Sequence, residues 1–116
     1  MNGTEKQLFD LIDNARVDNG CARLKQDPNL TSGARSTATD RASSGRSLNS
    51  GTGAGGDKMT AQQAYNRLMK NAKSTVLDCG LTTLGVGFDS EPRCQLEIIT
   101  CIGGWTDRNA WVAKFS

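Results

Sequence analysis

The chain contains no histidine, and this absence narrows its possible chemistry more than any other feature. Histidine is the commonest general base and metal ligand at neutral pH. Serine and threonine nucleophiles need such a base, so a Ser-His-Asp arrangement is excluded. Close Cys-x-x-Cys pairs, which are typical of zinc sites built from cysteine, are also missing. The sequence therefore predicts neither a metal site nor a cofactor.

Aromatic residues and long apolar runs are scarce as well. Only 5% of the 116 residues are aromatic and 13 are glycine, so aliphatic side chains must form most of one modest core. We expect a single domain over residues 1–116. No apolar run approaches the roughly 20 residues that span a bilayer. The net charge of +2 comes from scattered lysines and arginines, which does not indicate a nucleic-acid partner.

Four cysteines are present, and an even number without histidine favours two disulfides over a metal site. They are Cys21, Cys79, Cys94 and Cys101. Disulfides persist in oxidising compartments, so we expect a protein that is secreted or held in the cell envelope. No signal peptide precedes the first predicted helix. The chain is therefore expected to be the mature part of an exported monomer behind a start methionine.

Caps and apolar spacing predict the first two helices. Thr4 and Gln7 form a capping-box pattern, and the apolar stripe after them predicts a helix over residues 5–18. Asp27 followed by Pro28 predicts the start of a second helix. The buried side chains of this second helix are mostly alanine, so it must pack closely against its neighbour.

A glycine-rich segment separates the second helix from a third. Residues 43–57 lack apolar periodicity and predict a flexible loop. They superficially resemble a phosphate-binding loop, but the last glycine is followed by Asp57 rather than by lysine. A capping-box pattern at Thr60 then predicts a third helix, which reaches Leu77 with a break near Asn71.

The C-terminal third of the chain alternates apolar and other residues, as strands do. The apolar positions of the three predicted strands are Leu84, Val86 and Phe88, then Leu96, Ile98 and Ile102, and finally Trp111, Ala113 and Phe115. A turn is expected at residues 91–93. Three main helices packed on a small antiparallel sheet place the chain in the α+β class.

Several segments, in order, are similar to one family. LFDLIDNARVDNGCARLKQDPNLTSGA contains a helix end of the type N..R...G, then L..DP.L, then an alanine-rich helix. TAQQAYNRLM, STVLDCGLTTLGVGF and AWVAKFS resemble a later helix, an ILDC…GVGV strand and a closing strand. The chain thus resembles the CAP superfamily (cysteine-rich secretory proteins, antigen 5, pathogenesis-related 1), in its small secreted bacterial form. The resemblance implies an α-β-α sandwich.

The chain departs from this family in the cavity that can hold a divalent metal there. The family's first histidine and the glutamate of its GEN turn have no counterpart in residues 43–57, and Ala72 stands at the position of the second histidine. The resemblance therefore implies the scaffold without the cavity chemistry, and a protein that is not an enzyme.

The resemblance also implies a Cys21–Cys79 disulfide, which leaves Cys94 to pair with Cys101. A straight strand between the last two would separate their Cα atoms by roughly 23 Å, whereas a disulfide needs less than about 7 Å. The preferred pairing therefore requires the intervening residues to turn back. Otherwise a hairpin around residues 91–92 brings Cys101 beside Cys79. That arrangement leaves Cys21 for Cys94.

Carboxylate pairs are the remaining route to catalysis, as in glycoside hydrolases. The candidates are Asp40, Asp57, Asp78 and Glu97, and their spacing singles out no pair. A secreted hydrolase that uses such a pair is therefore an alternative hypothesis.

The favoured hypothesis is a secreted, non-catalytic domain that binds a cell-envelope component, a lipid or another protein. Trp105 and Arg108 are its candidate contact residues, because residues 103–109 look like an exposed loop and both residue types are enriched in binding hot spots. Trp111 is expected to belong to the core of a strand. A lipid carrier, with its ligand between the second helix and its neighbours, is a further alternative.

Overall fold

The structure is a computed structural model that describes residues 1–96 and 100–116. Its elements are α1 (Gly3–Asp18), β1 (Lys25–Gln26), α2 (Pro28–Ser44), β2 (Gly53–Asp57), α3 (Ala61–Asn71), α4 (Lys73–Val76), β3 (Thr83–Cys94) and β4 (Trp105–Phe115). The predicted α+β class is confirmed, because helices pack on both faces of one four-stranded sheet. The predicted strand residue Ile98 and the candidate carboxylate Glu97 lie outside the described residues.

Helix α1 begins at Gly3, slightly before the predicted start. Its N-cap is Asn2, whose Oδ1 accepts from the backbone N–H of Glu5 while Glu5 Oε1 accepts from the backbone N–H of Asn2, both at 2.9 Å. The predicted capping box of Thr4 and Gln7 was therefore wrong. Asparagine caps a helix somewhat better than threonine. With the helix starting at Gly3, Glu5 contacts an arginine on α2.

This arginine, Arg35, joins α2 to α1. Glu5 is buried, and Arg35 Nε and Nη2 each donate to its carboxylate at 2.7 Å. Burial raises the pKa of Glu5, but the hydrogen bonds from Arg35 and from the backbone of Asn2 outweigh burial and lower the pKa below its usual value. The ionised pair therefore stabilises the contact between the two helices at neutral pH.

A second buried arginine fixes the other end of α1. Arg16 is 1% exposed, and its Nη1 donates to the carbonyl of Val76 at 2.8 Å. Nη2 donates to the carbonyl of Leu81, and the guanidinium lies 5.9 Å from the centre of the Phe115 ring. One side chain thus connects α1 to the end of α4, to the entry of β3 and to the last strand.

The sheet has the strand order β1-β3-β4-β2. β3 pairs antiparallel with β4, from Leu84 opposite Phe115 to Cys94 opposite Trp105. β2 pairs antiparallel with the other side of β4. β1 adds a short parallel pair beside the start of β3, because the chain runs along that edge as it enters α2. The sheet is therefore mixed rather than wholly antiparallel.

The glycine-rich segment predicted to be a loop is partly regular. α2 extends to Ser44, and the end of the segment forms β2. A Cβ atom on Gly53 would lie 2.0 Å from Arg41 Nη1, and one on Gly55 would lie 2.8 Å from Leu48 Cδ2. The arginine end can move away, but a Cβ atom on Gly55 would also lie 2.9 Å from the backbone carbonyl oxygen of Asn109. Glycine is therefore required at position 55 by a distant part of the chain, which a local sequence pattern does not reveal.

The turn predicted at Glu91, Pro92 and Arg93 is also wrong, because β3 continues through these residues to Cys94. Pro92 pairs with Asp107 of β4 on one side. On the other side, no strand of the described chain is paired with it. Proline is tolerated at such an unpaired edge because the N–H that it lacks has no partner strand.

Helix α2 lies directly on β3. A Cβ atom on Gly85 would lie 2.1 Å from the backbone N of Thr31, and one on Gly87 would lie 2.2 Å from the carbonyl carbon of Ala34. The close packing predicted for this helix is therefore confirmed. There is no space beneath the helix for a methyl group at these two points. The lipid carrier with its ligand between this helix and its neighbours stays a prediction.

The two faces of the sheet have different cores. The core between the sheet and the helices α1 and α3 contains larger side chains. From the helices these include Leu8, Ile12, Leu68 and Val76, and from the sheet Leu84, Val86 and Trp111. The face towards α2 is thin, and its buried residues are Ala34, Ala38, Ala42, Ala110 and Val112. Most of the stabilisation from apolar burial therefore comes from one side of the sheet.

The structure contains both preferred disulfides. The Cα atoms of Cys21 and Cys79 are 5.0 Å apart, and those of Cys94 and Cys101 are 5.6 Å apart. The first bridge joins the loop after α1 to the segment before β3. The second joins the end of β3 to the segment that precedes β4.

Replacing Gly87 by alanine is expected to lower the free energy of unfolding by about 1–3 kcal/mol, because the added methyl group overlaps the backbone of α2. Urea unfolding measures this difference. The matched control is Gly33→Ala on α2, where the added Cβ would lie 3.7 Å from the side chain of Lys114. That control should be stabilised by about 0.5–1 kcal/mol. Wild-type stability for Gly87→Ala would contradict the close contact.

The stability of the protein should also fall in acid because of Glu5. A carboxyl with a lowered pKa in the folded state stabilises that state above its usual pKa of 4.5, and the contribution is lost as the pH falls through the lowered pKa. Urea unfolding at a series of pH values should show this decline, and Glu5→Gln should flatten it. Parallel curves for the two proteins would show that Glu5 is not responsible.

Candidate functional site

The end of the β3–β4 hairpin extends beyond the other strands. β2 pairs with β4 only as far as Arg108, so the start of β4 has β3 as its sole paired strand in the described part of the chain. Past Cys94, Gln95 N donates to Gly104 O at 2.9 Å and Ile102 N donates to Leu96 O at 3.0 Å. The Cys94–Cys101 disulfide closes this end. We call residues 94–96 and 100–105 the hairpin tip.

The hairpin tip carries exposed apolar side chains. Leu96 is 51% exposed, Ile102 62% and Trp105 66%. The other exposed large apolar side chains of the described residues are Met1 and Val17, which lie beside and on α1. They are less exposed, at 38% and 36%. All three belong to the hairpin tip, and exposed apolar surface concentrated on one part of a protein often marks a contact site, so the tip is the candidate contact surface of the described residues.

The structure separates the two predicted contact residues, Trp105 and Arg108. Successive residues of a strand face opposite sides of the sheet, and these two lie an odd number of positions apart on β4. Arg108 Nη1 donates to the carbonyls of Ala42 at 3.0 Å and Ser43 at 3.4 Å. Arg108 therefore caps the end of α2, whereas Trp105 projects into solvent. The expected exposed loop at residues 103–109 is mostly strand.

Trp111 lies in the core, as predicted. It is 2% exposed, its indole Nε1 donates to the carbonyl of Met59 at 3.0 Å, and its ring centre lies 4.5 Å from that of Phe88. The two tryptophans of the chain thus have opposite roles. Trp111 holds the sheet to the segment before α3, and Trp105 is available for contact.

The candidate carboxylates lie on different elements. Arg93 Nε donates to Asp57 Oδ1 at 2.7 Å, and Arg93 Nη2 donates to the other oxygen. Asp78 accepts from the backbone N–H of Gly80 at 2.9 Å, in a turn before β3. Asp40 is exposed on α2. The three described carboxylates therefore lie on three different elements. Asp57 pairs with an arginine, Asp78 belongs to a turn and Asp40 is exposed on a helix.

Asp57 has a pKa below its usual range. The hydrogen bonds from Arg93 are the main cause and outweigh the opposing effect of desolvation, and the positive charges of Arg93, Arg108 and Lys58 add to the shift. Asp57 is consequently ionised at neutral pH, where a general acid would have to be protonated.

An open groove of about 470 Å³ lies between the end of β2 and α3. The residues that line it are Gly55, Gly56, Asp57, Met59, Gln63, Asn66, Arg67 and Lys70. A shallower groove of about 320 Å³ lies between the end of α1 and the helices α3 and α4. We call the first of these the β2–α3 groove.

No cluster of three side chains suited to a metal is found in residues 1–96 and 100–116. None of the helices in the described part of the chain has the length and apolar character needed to cross a bilayer.

Leu96 and Ile102 were not predicted as contact residues, because their apolar character favours a buried strand. The spacing of Cys94 and Cys101 was the signal that could have shown otherwise, since a disulfide between them does not allow one straight strand. The polar residues of the β2–α3 groove were also missed. Gln63, Arg67 and Lys70 follow helical spacing on one face of α3, but only the fold brings β2 opposite them.

Comparison with models of known protein families gives no match, and comparison with curated proteins gives none either. Among solved structures, the crystal structure of MpPR-1i, a pathogenesis-related protein of the PR-1 type, is similar with a TM-score of 0.60. The identity is 18%, over 95% of this chain and 84% of that chain. At this identity the likeness concerns the fold alone. The chain therefore has a CAP-like fold, and its two disulfides are compatible with an extracellular protein.

The Asp57–Arg93 contact can be tested by titration. Arg93→Gln is expected to raise the pKa of Asp57 towards its usual value of 3.8, because the hydrogen bonds to the ionised carboxylate are lost. The carboxyl carbon shift of Asp57, followed by NMR against pH, measures this pKa. Arg46→Gln is the control, since Arg46 is an exposed arginine that is not among the causes of the shift. An Asp57 titration unaffected by Arg93→Gln would contradict the contact.

Proposed function

We propose that this protein is an exported, non-catalytic binding domain that engages a protein partner through its hairpin tip. The observation that carries the proposal is the exposure of Leu96, Ile102 and Trp105 together at one end of the molecule. Burying three such side chains against a partner supplies a favourable apolar contribution at a site where the free protein exposes them to water. Tryptophan in particular is enriched among residues that dominate binding energy.

The tip is held in shape before any partner arrives. The disulfide between Cys94 and Cys101 joins its two strands, and the backbone hydrogen bond from Ile102 to Leu96 continues the ladder beyond it. A surface that is already ordered loses less conformational entropy on binding. This supports a role in recognition for the hairpin tip, which contributes little to the core of the domain.

The charges around the tip favour a protein over a lipid surface. Asp107 is exposed next to the tip, and Arg93 forms its ion pair with Asp57 nearby. Both signs of charge are therefore present near the apolar side chains. An apolar centre with a mixed polar rim is typical of protein interfaces, whereas an anionic bilayer attracts uniformly basic surfaces.

Two further features support the absence of catalysis and the export. Arg93 holds Asp57 ionised, so this carboxyl is not suited to act as a general acid at neutral pH, and Asp78 lies on a different element, where it accepts from the backbone of a turn. Two disulfides in so small a domain favour an oxidising compartment. A bacterial origin stays a prediction from the sequence resemblance.

Photo-cross-linking from position 100, an exposed residue of the hairpin tip that leaves Trp105 in place, identifies the partner. Isothermal titration with the purified partner then tests the surface. Trp105→Ala is expected to weaken binding at least about tenfold, since truncating a hot-spot tryptophan typically has an effect of this size. Leu96→Ser and Ile102→Ser should weaken it less. Thermal unfolding should be nearly unchanged in all three variants, because these side chains are exposed.

Val17→Ser is the matched control, because Val17 is an exposed apolar residue of α1 outside the hairpin tip. It should bind the partner like the wild type. Equal affinity for wild type and Trp105→Ala would overturn the proposed surface. A blue shift of Trp105 fluorescence with phosphatidylcholine or phosphatidylglycerol vesicles, absent in Trp105→Ala, would instead show that the tip binds lipid.

A further inference from the structure

Several hydrogen-bond donors line the β2–α3 groove, and we infer that it binds a small phosphate monoester. This inference goes beyond the proposed function, because the groove is lined by none of the exposed apolar residues of the hairpin tip. Its donor side chains come from α3, and its other wall is the glycine-rich end of β2 with Asp57.

The positive charge of the groove is not neutralised from within. Asp57 is its one acidic lining residue, and both oxygens of that carboxylate accept from Arg93. Arg67 and Lys70 also line the groove, and neither forms an ion pair with any described residue. They lie three positions apart on α3, so they share one helical face. Two cations on one face suit a ligand with two negative charges.

The two amide side chains of the groove also present donors. Gln63 Oε1 accepts from the backbone N–H of Thr60 at 2.9 Å, and Asn66 Oδ1 accepts from Gln62 Nε2 at 3.0 Å. Because both amide oxygens are occupied, the amide nitrogens are left to donate to a ligand. Four neighbouring side chains of α3 thus offer N–H groups, and the one strong acceptor in the groove is already bound.

This pattern selects for a ligand that is rich in acceptors. A phosphate monoester carries a charge of about −1.5 to −2 at neutral pH and three acceptor oxygens. A carboxylate carries a single charge on two oxygens and leaves more of the four donor groups without partners. The groove therefore matches a phosphate group better than a carboxylate group.

The apolar part of the groove accommodates the organic part of the ester. Met59 is 7% exposed and lines the groove beside Gly56. A Cβ atom on Gly56 would lie 3.5 Å from Met59 Cε and meet nothing closer, so a side chain there fills the groove without overlapping the backbone. Glycine at this position keeps open a space next to an apolar surface, where an aryl or alkyl group can lie.

The test is a titration of the full chain with phenyl phosphate, inorganic phosphate and benzoate, followed by NMR shifts of backbone amides. Phenyl phosphate is expected to bind more tightly than either of the others, with the largest shifts in α3 and β2. Arg67→Gln should weaken its binding about tenfold or more, because a charge-assisted contact is lost. Gly56→Val should weaken phenyl phosphate more than inorganic phosphate, because only the ester has a ring to be displaced.

Lys25→Gln is the control, since Lys25 lies on β1 at the opposite edge of the sheet. It should bind phenyl phosphate like the wild type, and thermal unfolding should show that every variant is folded. If Lys25→Gln and Arg67→Gln weaken the binding of phenyl phosphate equally, the ligand is attracted by the overall charge of the protein. That result would contradict a site in the groove. Benzoate binding as tight as that of phenyl phosphate would overturn the choice of ligand. Trp105→Ala should leave the titration unchanged, so this inference and the proposed function fail independently.

Discussion

The contact between α2 and two glycines of β3 determines how the rest of the domain is arranged. Since Gly85 and Gly87 have no side chains, the helix backbone lies against the strand, and their neighbours Leu84 and Val86 must point to the other face. The larger core is therefore built on that other face by α1 and α3. A thin alanine layer and a thicker aliphatic layer follow from a single alternation of small and large residues along one strand.

The same arrangement explains why the hairpin tip is available for binding. Arg108 of β4 donates to a carbonyl at the C-terminal end of α2, so the helix ends beside this residue. The pairing of β4 with β2 stops at the same residue. Beyond that point the strands have only each other, and two-stranded ribbons are weakly stable by themselves. The Cys94–Cys101 disulfide holds the strands together there. Apolar side chains can consequently remain exposed on an ordered surface.

Local signals predicted much of this fold. The cap at Asp27, the cap at Thr60 and the break near Asn71 depend on a few adjacent residues, and all three lie where the sequence placed them. The features that were wrong depend on distant partners. β2 is a strand because it pairs with β4, and Pro92 fits in β3 because no described strand pairs on its other side. Of the candidate site, Trp105 was named because the residues around it look like a loop and tryptophan is enriched in binding hot spots. The segment is mostly strand, and the separation of Trp105 from Arg108 required the register of β4.

The absence of histidine also bears on the proposed recognition of a phosphate group. A cavity that uses imidazole groups changes its charge between about pH 5 and 8. The β2–α3 groove is lined instead by Arg67 and Lys70, with Asp57 as its acidic residue. Arg93 holds Asp57 ionised at the wall of the groove, because its hydrogen bonds lower the pKa of that carboxyl. The proposed site therefore does not depend on the protonation of an imidazole. A phosphate monoester itself titrates near pH 6, so a change of its binding around that pH is expected from the ligand.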